Sequence, residues 1–436
     1  MHGHNTVRDA TSPTDLSTFS SLQFRDYRYL WAGGALSSVG HWLQQVSIGW
    51  IAYDITGSGT ILGSINAVRF ITAVVIGLLS GVIVDRLDRG KLMVWLPLFL
   101  CASSCVLGAV LLTDNIRIWH LFLFMFVFGA VQAFEQPVRT TVLFDLVPRS
   151  HIPNAVALNI AASSITRALG PGIGGFLMSF IGAAGNFFFQ AGAYLVAAAT
   201  RFAIRLPPKK PLPRRNIAYD FREDFAFIFK GKLVRAYVFI SFVAPLLLIP
   251  TFNALPPIYA KDVYHRGPEA LGFIIGSVGL GGLLGALFTA SLGRMDRRGY
   301  VQLISLLIFA LALIGYSFCT SFWFSLPVLV FAGFAEMILI TTNQMLIQPI
   351  IPDALRARVT SVLLLSNAFL PLGALIAGAG ADAIGAPMIT RAMAGAAVAI
   401  ALLFLIASPT VRDIRMSALI AGSPQQTAQQ PKTTTP

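Results

Sequence analysis

The chain alternates between long apolar stretches and short polar breaks. From Leu30 to Ile406, apolar runs of roughly twenty residues recur, each ended by a short charged or Pro/Gly-containing segment. At about 1.5 Å per helical residue, such a run crosses a hydrocarbon core of about 30 Å. Lipid offers the backbone no hydrogen-bond partners, so only helices and closed barrels cross it, and these runs are too long and unbroken for barrel strands. The pattern predicts an all-α membrane protein of twelve transmembrane helices. They fall near 28–53, 60–84, 91–113, 117–144, 153–181 and 184–204, then near 235–260, 268–293, 300–319, 322–348, 355–383 and 388–407.

Composition sharpens the picture. Apolar residues make up 56% of the 436 and charged residues 12%, about half the charged share of a soluble domain. The net charge of +13 does not point to nucleic acid, because the basic residues lie between apolar runs without interleaved aromatics. Cys101, Cys105 and Cys319 fall inside apolar runs and read as packing residues, not a disulfide framework. Residues 1–24 lack an apolar core and a cleavage site, so no leader is expected to be removed.

The basic residues also orient the chain. With the N-terminus placed in the cytoplasm, 24 Lys and Arg fall on inside segments and four on outside ones (Arg117, Lys261, Arg266 and Arg391). Both termini are therefore expected in the cytoplasm, with the chain multi-pass in an inner membrane. Landmarks recur at nearly one offset. Asp85-Arg86-Leu87-Asp88-Arg89 is echoed by Gly293-Arg294-Met295-Asp296-Arg297, Val147-Pro148 by Ile351-Pro352, and Ile181-Gly182 by Ile384-Gly385. This implies a duplicated six-helix unit, two pseudo-symmetric bundles. The expected organisation is a disordered cytoplasmic segment at 1–24, an N-terminal bundle at 25–205, a cytoplasmic linker at 206–233, a C-terminal bundle at 234–408 and a disordered tail at 409–436. The linker's Lys209, Lys210, Arg214 and Arg215 serve as a topology signal or sit against anionic membrane lipid.

Ser80-Gly81-Val82-Ile83-Val84-Asp85-Arg86-Leu87-Asp88-Arg89-Gly90-Lys91 resembles the helix 2–3 loop motif of the major facilitator superfamily. Phe24-Arg25-Asp26-Tyr27-Arg28-Tyr29-Leu30-Trp31, Gly40-His41-Trp42-Leu43-Gln44-Gln45 and Trp50 to Ser58 are similar to the branch holding enterobactin-type siderophore exporters and macrolide efflux proteins. Two positions depart from the pattern: Asp88 stands where many members have glycine, and His41 where small hydroxyl residues are commoner. The resemblance implies a gating loop (Asp85, Arg86, Asp88 and Arg89) in which Asp85 faces the N-terminus of the eleventh helix near 353–358 and holds the halves closed inside. It also implies that the second, fifth, eighth and eleventh helices meet across the halves. Their glycines (Gly77 and Gly81; Gly170 to Gly175; Gly276 to Gly285; Gly373 to Gly380) then mark a sliding seam. Gly170, Pro171, Gly174 and Gly175 resemble the helix-five motif of exporters in the superfamily. Although Gly170, Gly172 and Gly175 spell GxGxxG, they lie inside an apolar helix without a preceding strand, so a dinucleotide site is excluded. Pro171 should bend that helix.

Charges within the bilayer are the best pointers to mechanism, since each is costly unless paired or wet. Glu135 and Arg139 are four residues apart on one helix face and invite pairing. Glu135 reads either as half of a static ion pair or as a carboxylate that carries a proton when unpartnered. With His41 and Glu336, these two form the proton-coupling candidates. Arg69 and Arg167 are expected to bind an anionic group or Glu135. Gln44, Gln45, Gln132, Gln136, Asn253, Asn343, Gln344 and Asn367 complete the candidate cavity lining.

The expected activity is a secondary transporter, a proton-coupled exporter of an amphipathic small molecule such as a siderophore or drug, acting as a monomer. An uptake symporter or facilitator of the same fold is the alternative, followed by a membrane-embedded enzyme or lipid translocator. Against an enzyme stand the absence of HExxH, GxSxG, a metal-spaced Cys/His cluster and a phosphate-binding loop. No cofactor or metal is expected.

Overall fold

The computed structural model describes residues 18–204, 206, 239–291, 298–350, 369–408 and 412. The gating partner near 353–358, the echo at 293–297, Asn367 and almost all of the linker lie outside these residues, as do the side chains of Asp85 and Arg86.

The described chain is built of long helices: α1 (Arg25–Thr56), α2 (Gly59–Arg86), α3 (Arg89–Leu112), α4 (Ile118–Leu146) and α5 (Ile152–Phe202). Then come α6 (Phe239–Val263), α7 (Pro268–Ser291), α8 (Arg298–Phe318), α9 (Phe322–Ile350), α10 (Phe369–Ile384) and α11 (Ala386–Ala407). Nine helices among the described residues are long and apolar enough to cross a membrane. One of these is α5, whose 51 residues are twice the length of a span. The 16 described residues of α10 are apolar, and α1 runs for 32 residues with more polar positions.

The reversal inside α5 happens at one residue. Gly182 has φ 70° and ψ 178° and folds the second arm of the helix back along the first. Its counterpart Gly385, between α10 and α11, has φ 83°. Positive φ is unfavourable for residues with a Cβ, so the glycine of each Ile-Gly pair noted in sequence suits a turn. At Pro171, by contrast, α5 keeps helical dihedrals, so its one non-helical residue is Gly182.

Two residues of the expected gating loop, Asp88 and Arg89, have local partners. Asp88 is the N-cap of α3 and accepts from the backbone N–H of Gly90 (2.8 Å) and Lys91 (3.3 Å). Arg89 pairs with Asp145 at the end of α4, 3.2 Å away. Both contacts stay within the N-terminal half.

Two helix pairs make most of the contact between the halves among the described residues: α2 packs on α10, and α5 on α7. A Cβ on Gly59 would fall 2.6 Å from the Gly378 carbonyl oxygen, and one on Gly63 would fall 2.3 Å from that of Ala374. On the other pair, a Cβ on Gly175 would meet the Pro268 carbonyl at 2.5 Å, and one on Gly272 the Pro171 carbonyl at 2.4 Å. The seam is therefore glycine-lined, though not by all the glycines expected. Gly77 and Gly172 face nothing within 4 Å. Gly170 and Gly174 admit Trp42 and Leu43 of α1, while Gly281, Gly285, Gly373 and Gly380 serve contacts inside the C-terminal half. Glycine permits close approach wherever two helices meet, within a half as readily as between halves.

Candidate functional site

A cavity of about 360 Å³ lies between the halves. Its N-terminal wall comes from α1 (Gly34, Ser37, Ser38, His41, Trp42), α4 (Gln132, Glu135, Gln136, Arg139) and the first arm of α5 (Ile160 to Arg167). The opposite wall is Gly279, Gly282 and Leu283 of α7 with Met337 of α9. These positions lie between the seam and the face where α1 begins, here called the N-terminal face.

At the other face the halves are tied together. Asp382, in the last turn of α10, accepts from the backbone N–H of Gly59 (2.5 Å) and Thr60 (2.9 Å), and from the hydroxyls of Ser58 (2.9 Å) and Thr60 (2.6 Å). A carboxylate from one half thus caps the N-terminus of α2 in the other, where unpaired N–H groups and the helix dipole favour negative charge. Lys261 donates to Asp54 at 2.6 Å, and the Tyr53 hydroxyl donates to Asp262. These contacts hold the two halves together at this face.

Two buried ion pairs flank the cavity. Glu135 is bound not by Arg139 but by Arg201 from the second arm of α5, Nη2 to Oε1 at 2.7 Å. The physical reason is exclusion from water: the Arg201 side chain is 3% exposed, and it also donates to the Ser37 hydroxyl at 2.9 Å and faces the Met93 carbonyl at 3.5 Å. Arg139 instead points along the cavity wall and forms no hydrogen bond or ion pair among the described residues. The second pair joins the halves. Arg167 Nη2 of α5 donates to Glu336 Oε2 of α9 at 2.7 Å, with the glutamate 4% and the arginine 28% exposed. Arg167 was expected to seek an anion or Glu135; its partner is the other in-membrane candidate acid.

Arg69 is buried deeper. Its Nη2 lies 3.5 Å from His41 Nε2, its guanidinium sits 5.5 Å from the centre of the Phe128 ring, and its Nε has no hydrogen-bond partner. It borders a separate small void of about 10 Å³ with Gln45, Asn66 and Asn253. Gln45 donates to Asn253 across the halves at 3.4 Å. Other expected lining residues lie elsewhere. Gln44 is fully buried against Met125, Asn343 accepts from Ser241 and Gln302 inside the C-terminal half, and Gln344 is exposed away from the cavity.

Sequence reasoning missed Arg201 and Asp382. Each sits at the end of an apolar run, where a charge reads as an interfacial anchor. Only the packing of a distant segment against it reveals otherwise.

Two helix bundles around a central polar cavity, tied together at one face and joined by an ion pair between the halves, define a secondary transporter of the major facilitator fold. The chain belongs to the transmembrane secretion effector family (MFS_3), whose model matches residues 16–431. It is 22% identical over 361 residues to the staphyloferrin A transporter of Staphylococcus aureus, covering 82% of this chain and 90% of that one. It is 24% identical over 287 residues to macrolide efflux protein A of Streptococcus pyogenes (65% and 70% covered). It is also 24% identical over 330 residues to the enterobactin exporter EntS of Shigella boydii (74% and 77% covered). Among solved structures, a peptide transporter POT in complex with alafosfalin superposes with a TM-score of 0.72 at 13% identity, over 89% of this chain and 95% of that one. That likeness concerns the fold. These relatives are transporters, not enzymes.

Proposed function

We propose that the protein is a proton-coupled exporter that moves an amphipathic small molecule out of the cytoplasm by alternating access, with twelve crossings arranged as two sixes. The halves rock about the α2–α10 and α5–α7 seams, and substrate enters the cavity from the N-terminal face, which the positive-inside bias places in the cytoplasm. Outward direction is supported by the efflux and exporter names of relatives, and by the exporter-like motif of α5, in which Pro171 and Gly175 meet α7 on the seam while Gly170 and Gly174 pack on α1.

The observation that carries the coupling is the Arg167–Glu336 pair. One partner belongs to each half, so opening the other way must separate them. A carboxylate parted from its counter-charge and kept from water binds a proton; one returned to its arginine releases it. Proton binding and the position of the halves are then linked. The Glu135–Arg201 pair moves as one body with the N-terminal half, so Glu135 and Arg139 shape the cavity wall, with His41 beside them.

The test is substrate-dependent proton movement in proteoliposomes loaded with a pH dye, for the wild type, Glu336→Gln and Glu135→Gln, against siderophores and lipophilic drugs. Flux that appears with substrate, disappears in Glu336→Gln and persists in Glu135→Gln is the expected result. Coupling intact in Glu336→Gln would overturn the assignment, and loss in Glu135→Gln alone would move it to the within-half pair.

A further inference from the structure

The cavity carries an imbalance of charge that the two ion pairs do not remove. Four arginines (Arg69, Arg139, Arg167 and Arg201) lie in or beside it, against two glutamates, and each glutamate is already engaged at 2.7 Å. Arg139 lines the cavity within reach of the Glu135 charge, which Arg201 already neutralises, and has no carboxylate within ion-pair distance among the described residues. Arg69 stands behind His41 with no acidic neighbour there either, and its Nε is buried and unpartnered. A guanidinium in the membrane interior is costly without a counter-charge, and its planar fork suits a carboxylate held by two parallel hydrogen bonds. The remaining polar lining near Arg139 is neutral: Ser37 and Ser38 from α1, Gln132 and Gln136 from α4. Trp42 supplies an apolar ring on the same wall.

From this surplus we infer that the transported molecule is an acid, whose carboxylate, or a comparable delocalised anion, is held by Arg139 while its apolar part lies toward Trp42. This rests on the transport reading and narrows it. Arg69 contributes through His41 as a fixed positive charge that favours anions at the cavity floor. Lipophilic cations enter the same space against a net positive field, so they are disfavoured substrates.

The experiment is a matched series on the purified full-length protein in detergent: 1-naphthoate, its neutral amide and the corresponding naphthylmethylammonium, titrated by calorimetry. The carboxylate is expected to bind at least about ten-fold more tightly than the other two, the scale of one charge-assisted hydrogen-bonded contact. Arg139→Gln should abolish that preference and Arg139→Lys restore part of it, with thermal unfolding of each variant confirming a folded protein. Equal affinities across the series, or a preference for the ammonium, would overturn the proposal. So would loss of naphthoate binding to added phosphatidylglycerol in wild type and Arg139→Gln alike, which would assign the anion preference to lipid headgroups at another place. Binding is read without a gradient, which separates the two claims. Anion preference without substrate-driven proton flux removes the antiporter and keeps the acid site. Flux driven by lipophilic cations equally in wild type and Arg139→Gln keeps the antiporter and removes the acid site.

Discussion

Glu135 on α4 and Glu336 on α9 sit on corresponding helices of the two halves, and both are bound by arginines of α5 at 2.7 Å. The first arm of α5 sends Arg167 across to the other half; the second arm sends Arg201 into its own. Chemistry and distance are the same, but the mechanical situation differs. A pair inside one rigid body holds that body together throughout a cycle. A pair between two bodies holds only one arrangement of them. Under the proposed cycle, the side of the seam on which the partner stands decides whether an ion pair is structural or switching.

The largest expected effect separates the two directly. Arg201→Met strands Glu135 inside the bundle and should lower stability by about 3 kcal/mol, read as a drop in thermal midpoint in detergent. Arg167→Met should instead move the population toward the state in which the halves have parted, read by cysteine labelling at the two faces. Equal thermal losses for both would erase the distinction. A smaller effect is expected at the tied face. Asp382→Asn weakens a charged cap on α2 that crosses the halves, shifting the balance away from the tied state by about 1–2 kcal/mol, or roughly ten-fold in population, with little change in unfolding. Labelling at position 58 that stays as slow as in the wild type would refute that role. Smallest of all, Lys261→Gln removes an exposed cross-half pair and should change the same labelling rate by less than about three-fold.

Much of the fold was legible because lipid imposes it. Apolar length accounts for the nine helices long and apolar enough to cross a membrane among the described residues, and the Ile181-Gly182 and Ile384-Gly385 pairs both fall at glycines of positive φ. The site was less legible. Spacing along α4 placed Glu135 and Arg139 on one face, but spacing within a helix says nothing about what a neighbouring helix offers. Arg201, 66 residues further on, is more deeply buried than Arg139 and takes the acid. Gln132, Gln136, His41 and Arg167 were found because polar groups in a membrane turn inward. Gln44 and Asn343 obey the same rule, yet find partners inside a half before reaching the cavity.

The departures of α6 from regular helix have a consequence for bending. This helix holds Pro245, Pro250, Pro256 and Pro257, and two π-helical turns, at Ala244–Leu248 and Tyr259–Val263. Proline nitrogens donate nothing, and the wide turns interrupt the regular register, so part of the usual ladder is already missing at rest. Along α8, a span with no proline, flexing would mean breaking intact bonds in a medium that offers no substitutes. Of the two, α6 is the softer spring: with fewer ladder bonds to break, the C-terminal half bends there at less cost than along α8.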